Sequence, residues 1–108
     1  MEQINRIEIQ GNVGICRVMD VKDNQVLHFS LATNYAYKSK DGDVIETTWH
    51  NVVAWKSKYM PDFNLITKGT ALNVVGRMRV SKYIAADGTE KQVHEVLANK
   101  ITIIHDSI

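Results

Sequence analysis

The sequence predicts an all-β domain, a small five-stranded Greek-key barrel with a short helix between strands 3 and 4. Three observations predict it. Apolar and polar residues alternate with period two through five segments, as strands with one buried face require. Turn signals such as Asp41-Gly42 and Asp87-Gly88 separate two pairs of these segments. Only Lys56 to Lys68 lacks the alternation, and it lies between the third and fourth segments.

In the first strand Ile7, Ile9, Val13 and Ile15 alternate with Glu8, Gln10 and Asn12, and Gly11 and Gly14 mark bends. Asp20 to Asn24 is a polar turn. The second strand places Leu27, Phe29, Leu31 and Thr33 on one face, and Tyr35 and Tyr37 extend that parity. Lys38 to Asp43 forms a hairpin loop. The third strand is rich in β-branched and aromatic residues, Thr47-Thr48-Trp49-His50-Asn51-Val52-Val53-Ala54-Trp55. Trp49 and Trp55 share its parity, so an unbroken strand turns both indoles to one side. Lys56 to Lys68 contains Pro61, is followed by Gly69, and reads as a short, irregular helix or helical turn. The fourth strand carries Leu72, Val74, Met78 and Val80 on one face and Arg77, Arg79, Ser81 and Tyr83 on the other. The last strand runs from about Gln92 to Ile104. Three strands, a helical connection and two strands make the OB-fold order. An SH3-like barrel or an open sheet has the same alternation, and the pattern alone does not separate them.

The 108 residues fit one domain, 1–108, and 44% of them are hydrophobic, enough for a packed core. No apolar run approaches the roughly 18 residues of a membrane helix. The first six residues lack the basic-then-apolar order of a signal peptide. Cys16 has no partner for an intrachain disulfide and reads as a half-buried filler. A cytoplasmic location is expected, with no membrane partner. Net charge is +1, from 13 Lys and Arg against 12 Asp and Glu, so the chain is not a generic polycation. Any nucleic-acid binding must rest on local charge segregation.

Two sets of residues supply such a surface. Tyr37, Trp49, Trp55 and Tyr83 are expected to be exposed, and Phe29 and Phe63 to be core. Exposed aromatics stack on unpaired bases whatever the sequence. Arg77, Arg79, Lys82, Lys56 and Lys38, with Lys58 and Lys40, lie beside these aromatics in the chain and could contact phosphates. Catalytic sets are absent: His28, His50, His94 and His105 have no metal-ligand spacing, and no phosphate-binding Gly loop occurs. No enzyme activity, metal or cofactor is expected. His50 lies on the side of the strand opposite Trp49, which suits a packing or subunit contact.

These segments resemble bacterial single-stranded DNA-binding proteins over nearly the whole chain. Gly11-Asn12-Val13-Gly14, Phe29-Ser30-Leu31-Ala32-Thr33, Thr48-Trp49-His50-Asn51-Val52-Val53 and Lys68-Gly69 with Val74-Val75-Gly76-Arg77-Met78-Arg79 match the family's motifs in order. The Trp-His segment is the most specific. The resemblance implies an OB-fold that binds single-stranded DNA without sequence preference in replication, recombination or repair. It implies a homotetramer, a dimer of dimers, associated with the nucleoid. Its stacking positions fall on Tyr37, Trp49, Trp55 and Tyr83, and His50 falls on the subunit interface. Ile15-Cys16 stands where the family commonly has Asp-Pro. The chain ends at Ile108 without the family's acidic-tipped tail, so partners recruited by that tail are not expected. The first strand, long and charged at Arg6 and Glu8, reads as an edge that seeks a partner. A primosomal-type OB protein of replication restart and an RNA-binding OB domain are the competing readings.

Overall fold

The computed structural model describes residues 1–105. The five strands are β1 (Ile7–Val21), β2 (Asn24–Ser39), β3 (Gly42–Trp55), β4 (Ala71–Ile84) and β5 (Glu90–Ile103). They close into a barrel in the order β1-β2-β3-β5-β4. Every ladder is antiparallel except β3 with β5, which is parallel from Val52–Val96 to Ala54–Ala98. Closure decides between the alternatives that alternation left open: the sheet is not open, and the five-stranded order is that of an OB-fold.

β1 is therefore not the open edge of a sheet, as the sequence suggested. Its first half pairs with β4, from Ile7–Gly76 to Asn12–Ala71, and its second half with β2, from Asn12–Ala32 to Val21–Asn24. Each half still has one side without a ladder among the described residues. The handover needs a tight bend. At Gly11 a Cβ would strike the Ala32 carbonyl, so only glycine fits the close approach.

A β-bulge between Val13 and Cys16 corrects one expectation about the core. The extra residue resets the alternation. Ile15, expected inside with Ile9 and Val13, is 81% exposed. Cys16 takes the inward place and packs against the core, half-buried as expected.

The fully buried side chains Leu27, Leu31, Val52, Leu72, Val74 and Val96 come from β2, β3, β4 and β5 and meet on the barrel axis. Phe29 and Phe63 are core, as the sequence predicts. The connection between β3 and β4 is helical only at Phe63–Leu65, one 3₁₀ turn capped by the Asp62 carboxylate, which accepts from the Asn64 N–H at 2.9 Å. Met60, Phe63 and Ile66 are all buried. Their spacing of three matches a 3₁₀ repeat and lets one short segment join the core.

Two ribbons continue past the barrel. β2 and β3 pair only with each other from Thr33–Thr48 to Ser39–Gly42. β4 and β5 do so from Arg79–Glu95 to Ile84–Glu90. Met78 and Val80 keep the parity of Leu72 and Val74 but are exposed, because they stand at the root of this second ribbon and on it. No helix of the described residues is long and apolar enough to cross a membrane.

Candidate nucleic-acid interface

The β2–β3 ladder runs without a register shift from Val26–Trp55 to Ser39–Gly42. Alternation along β3 is therefore intact. Val52 and Ala54 point into the core, which turns Trp49, Asn51, Val53 and Trp55 outward. Trp49 is 58% and Trp55 41% exposed. The expectation that both indoles share an outer face is met.

The Trp49 indole has a built seat. A Cβ on Gly14 would clash with the far edge of the ring and with Ser30 Oγ. The same Ser30 Oγ accepts from the Ile15 N–H at 3.0 Å, which fixes the bulge beneath the ring. The bulge thus turns Ile15 outward just after the glycine that leaves room for the Trp49 ring.

Next to this seat lies a groove of about 420 Å³. Ile15 and Arg17 of β1, His28 and Ser30 of β2, and Asn51 and Val53 of β3 line one side, and Val93 and Glu95 of β5 the other. The groove is therefore an outer-face feature bounded by the second ribbon.

The basic residues divide into paired and free. Arg79 donates from Nε to Glu95 Oε1 at 2.6 Å, and Ser81 Oγ donates to the same oxygen at 2.7 Å. Burial pushes the Glu95 carboxyl up, but the Ser81 and Arg79 hydrogen bonds and the electrostatic pull of the nearby Arg79 and His28 outweigh it. The net position is below the ordinary glutamate range. Arg79 is thus held on the protein and is not a free phosphate ligand. Lys56 is also occupied: Nζ donates to the Pro61 carbonyl at 2.8 Å and the Met60 carbonyl at 3.4 Å, and lies 5.3 Å from the Phe63 ring centroid. It ties down the connection that carries Phe63. Lys82 makes a loose pair with Glu90 at 3.6 Å, both ends exposed. Arg77 and Lys38 are exposed, and no ion pair holds either among the described residues.

Tyr83 is 48% exposed and shares strand parity with Arg77. Tyr37 is 40% exposed, but its parity is that of Leu31, so it lies on the ribbon face opposite Trp49. The four aromatics are exposed as expected, yet they do not form one continuous plane. His50 is half-buried on the side away from Trp49, with its Nε2 2.9 Å from Thr33 Oγ1. Among the described residues no group of His, Cys, Asp and Glu could hold a metal ion.

Sequence reasoning missed three contributors, Ile15, Gly14 and Ser30, and left a fourth residue, Tyr35, undecided. Ile15 was hidden by the bulge, which alternation cannot see. Gly14 and Ser30 carry no chemical label, and only the fold brings them under Trp49. Tyr35 had a readable signal: it stands two residues before Tyr37 with the same parity.

Comparison with known proteins agrees with this geometry. Residues 4–104 match the model of the "Single-strand binding protein family". The mitochondrial single-stranded DNA-binding protein of Danio rerio is 26% identical over 99% of this chain and 80% of its own length. The single-stranded DNA-binding protein of Xanthomonas axonopodis pv. citri is 32% identical over 94% of this chain and 58% of its own. Among solved structures, the Plasmodium falciparum SSB in complex with ssDNA superposes with a TM-score of 0.75 at 26% identity, covering 96% of both chains. A family match across nearly every described residue, on a closed barrel of the same shape, leaves one conclusion: the chain belongs to the single-strand binding protein family.

Proposed function

We propose that this chain binds single-stranded DNA without sequence preference and protects it during replication, recombination or repair. It acts by binding alone, with no chemical step. The observation that carries the proposal is the outward pair Trp49 and Trp55 on one face of β3, beside an open groove. Each ring offers a base a flat apolar surface worth roughly 1–3 kcal/mol, and every base has such a face. Arg77, Lys38 and the loosely paired Lys82 supply cations for phosphates. Tyr37 and Tyr83 offer separate exposed rings on the two ribbons, Tyr37 on the face turned away from Trp49. Membership of the family and the ssDNA-bound relative support the same reading.

The finer expectation is a homotetramer built as a dimer of dimers in the cytoplasm. Its support is the family resemblance, the unladdered sides of β1, and the half-buried His50 turned away from Trp49. Titration with poly-dT and poly-U, read by tryptophan fluorescence, tests the function. Strong quenching by poly-dT at sub-micromolar protein is the expected result. Preferred quenching by poly-U would point to an RNA-binding domain. Weak quenching by both would point to a replication-restart protein that works through protein contacts.

A further inference from the structure

The Trp49–Trp55 face does not account for all of the exposed aromatic surface. Tyr35 and Tyr37 stand on one face of the free β2–β3 ribbon, turned away from Trp49. Tyr35 is 68% exposed, more than any other aromatic side chain of the fold. The two ring centroids are 6.2 Å apart and the planes are inclined by 33°.

Stacked bases rise by about 3.4 Å per nucleotide along one strand. A ring inserted between two others needs twice that, about 6.8 Å. A β-strand rises about 6.6–6.8 Å over two residues. Aromatics at positions i and i+2 of a strand therefore stand one base-thickness apart. The observed spacing falls about 0.6 Å short of this and the planes are 33° from parallel, so these two exposed side chains must rotate to face each other across a base.

The surroundings favour a base over a phosphate in this gap. Glu46 faces Tyr35 across the ladder, and Asp43 faces Lys38. A phosphate between the rings would meet the Glu46 carboxylate, whereas a neutral base would not be repelled. Lys40 is exposed in the hairpin turn just beyond Tyr37, where the backbone on one side of the base would continue, while Lys38 points to the other face of the ribbon.

We propose that Tyr35 and Tyr37 are the two walls of a slot that takes one unpaired nucleobase of the bound strand. The inference rests on the single-stranded DNA reading above, which already gives Tyr37 a stacking role, and adds Tyr35 as the second wall on the side of the ribbon opposite the tryptophans. It makes Tyr35 a base-contacting residue.

The test uses the full chain and a short, labelled oligothymidylate, with affinity read by anisotropy at fixed salt. The variants are Tyr35→Ala, Tyr37→Ala, the double replacement and Tyr35→Phe. Tyr35→Ala should weaken binding about tenfold, the worth of one modest base–aromatic stack. The double replacement should be little weaker than the worse single one, because one base needs both walls. Tyr35→Phe should bind like wild type, since the ring and not the hydroxyl forms the wall. Light scattering should give the same assembly mass for all. Affinity of Tyr35→Ala within about twofold of wild type would overturn the slot, as would full additivity of the two replacements. A fall in assembly mass with Tyr35→Ala would also overturn it, and would assign the pair to a contact with a second copy of the chain. If wild type itself does not bind the oligonucleotide, the DNA reading fails and the slot with it.

Discussion

Trp49 is held by neighbours that have no chemistry of their own. Gly14 leaves room for the ring, and Ser30 pins the bulge that supports it. Replacing Gly14 by Ala puts a methyl where the indole lies, so the ring must leave its seat. Gly14→Ala should therefore weaken poly-dT binding nearly as much as Trp49→Ala, which itself should cost roughly 1–3 kcal/mol. Trp49→Ala should leave the melting temperature almost unchanged, because the ring is more exposed than buried. A collapse of the melting transition in Trp49→Ala would show that the ring supports the fold instead. The arginines make a second residue-scale contrast. For single strands, the slope of log affinity against log salt is about −0.7 per phosphate neutralised. Arg77→Ala should reduce its magnitude by about that increment. Arg79→Ala should change it less, because Glu95 already neutralises this guanidinium. Equal slope changes in the two variants would contradict that division. The sequence placed both arginines on one outer face correctly. It could not reveal that one is spent on a glutamate sixteen residues away.

At the scale of elements, period-two alternation made all five strands legible, because each strand has one face in the barrel. It also placed Trp49 and Trp55 together, since β3 has no bulge. It failed at Ile15, where one inserted residue reverses the parity of everything after it. It also gave no warning that Met78 and Val80 lie where β4 leaves the barrel, since alternation reports parity and not strand pairing. The connection after β3 was legible as irregular and Phe63 as core, but not that Met60 and Ile66 join it there. Met60, Phe63 and Ile66 are spaced by three, too short a pattern to stand out beside Pro61. Phe63 is 2% exposed. Phe63→Ala should cost about 3–5 kcal/mol of stability, the range for emptying a buried aromatic site. Urea melts would measure it. A loss below about 1 kcal/mol would mean the connection is not part of the cooperative core.

For the whole molecule, a net charge of +1 means that binding cannot come from bulk attraction. Salt sensitivity should be present but shallower than for a strongly basic protein. The Arg79–Glu95–Ser81 cluster adds a pH dependence. The folded-state pKa of Glu95 lies below its unfolded value, so its contribution to stability is complete above the ordinary glutamate range. That contribution should fade as pH falls through the depressed value. Glu95→Gln should flatten this part of the acid limb. An identical acid limb in that variant would show that Glu95 does not contribute. His50 belongs to the same scale through assembly. A lysine there places a charge on the half-buried side proposed to meet another subunit, so His50→Lys should lower the mass seen by light scattering on dilution. DNA affinity should then fall secondarily through lost avidity. Unchanged mass with weaker binding of a short oligonucleotide would move His50 from the interface to the DNA site.

The central claim is that the two outward indoles of β3 are stacking surfaces for unpaired bases. The chain has two tryptophans, so Trp49→Phe and Trp55→Phe each leave one fluorescent reporter. Titrating both variants with oligothymidylate is the most direct measurement. The predicted result is saturable quenching of the remaining tryptophan in each protein, at the same DNA concentration that saturates binding. Saturable binding with unchanged emission from either indole would contradict the claim for that residue, and unchanged emission from both would remove it altogether.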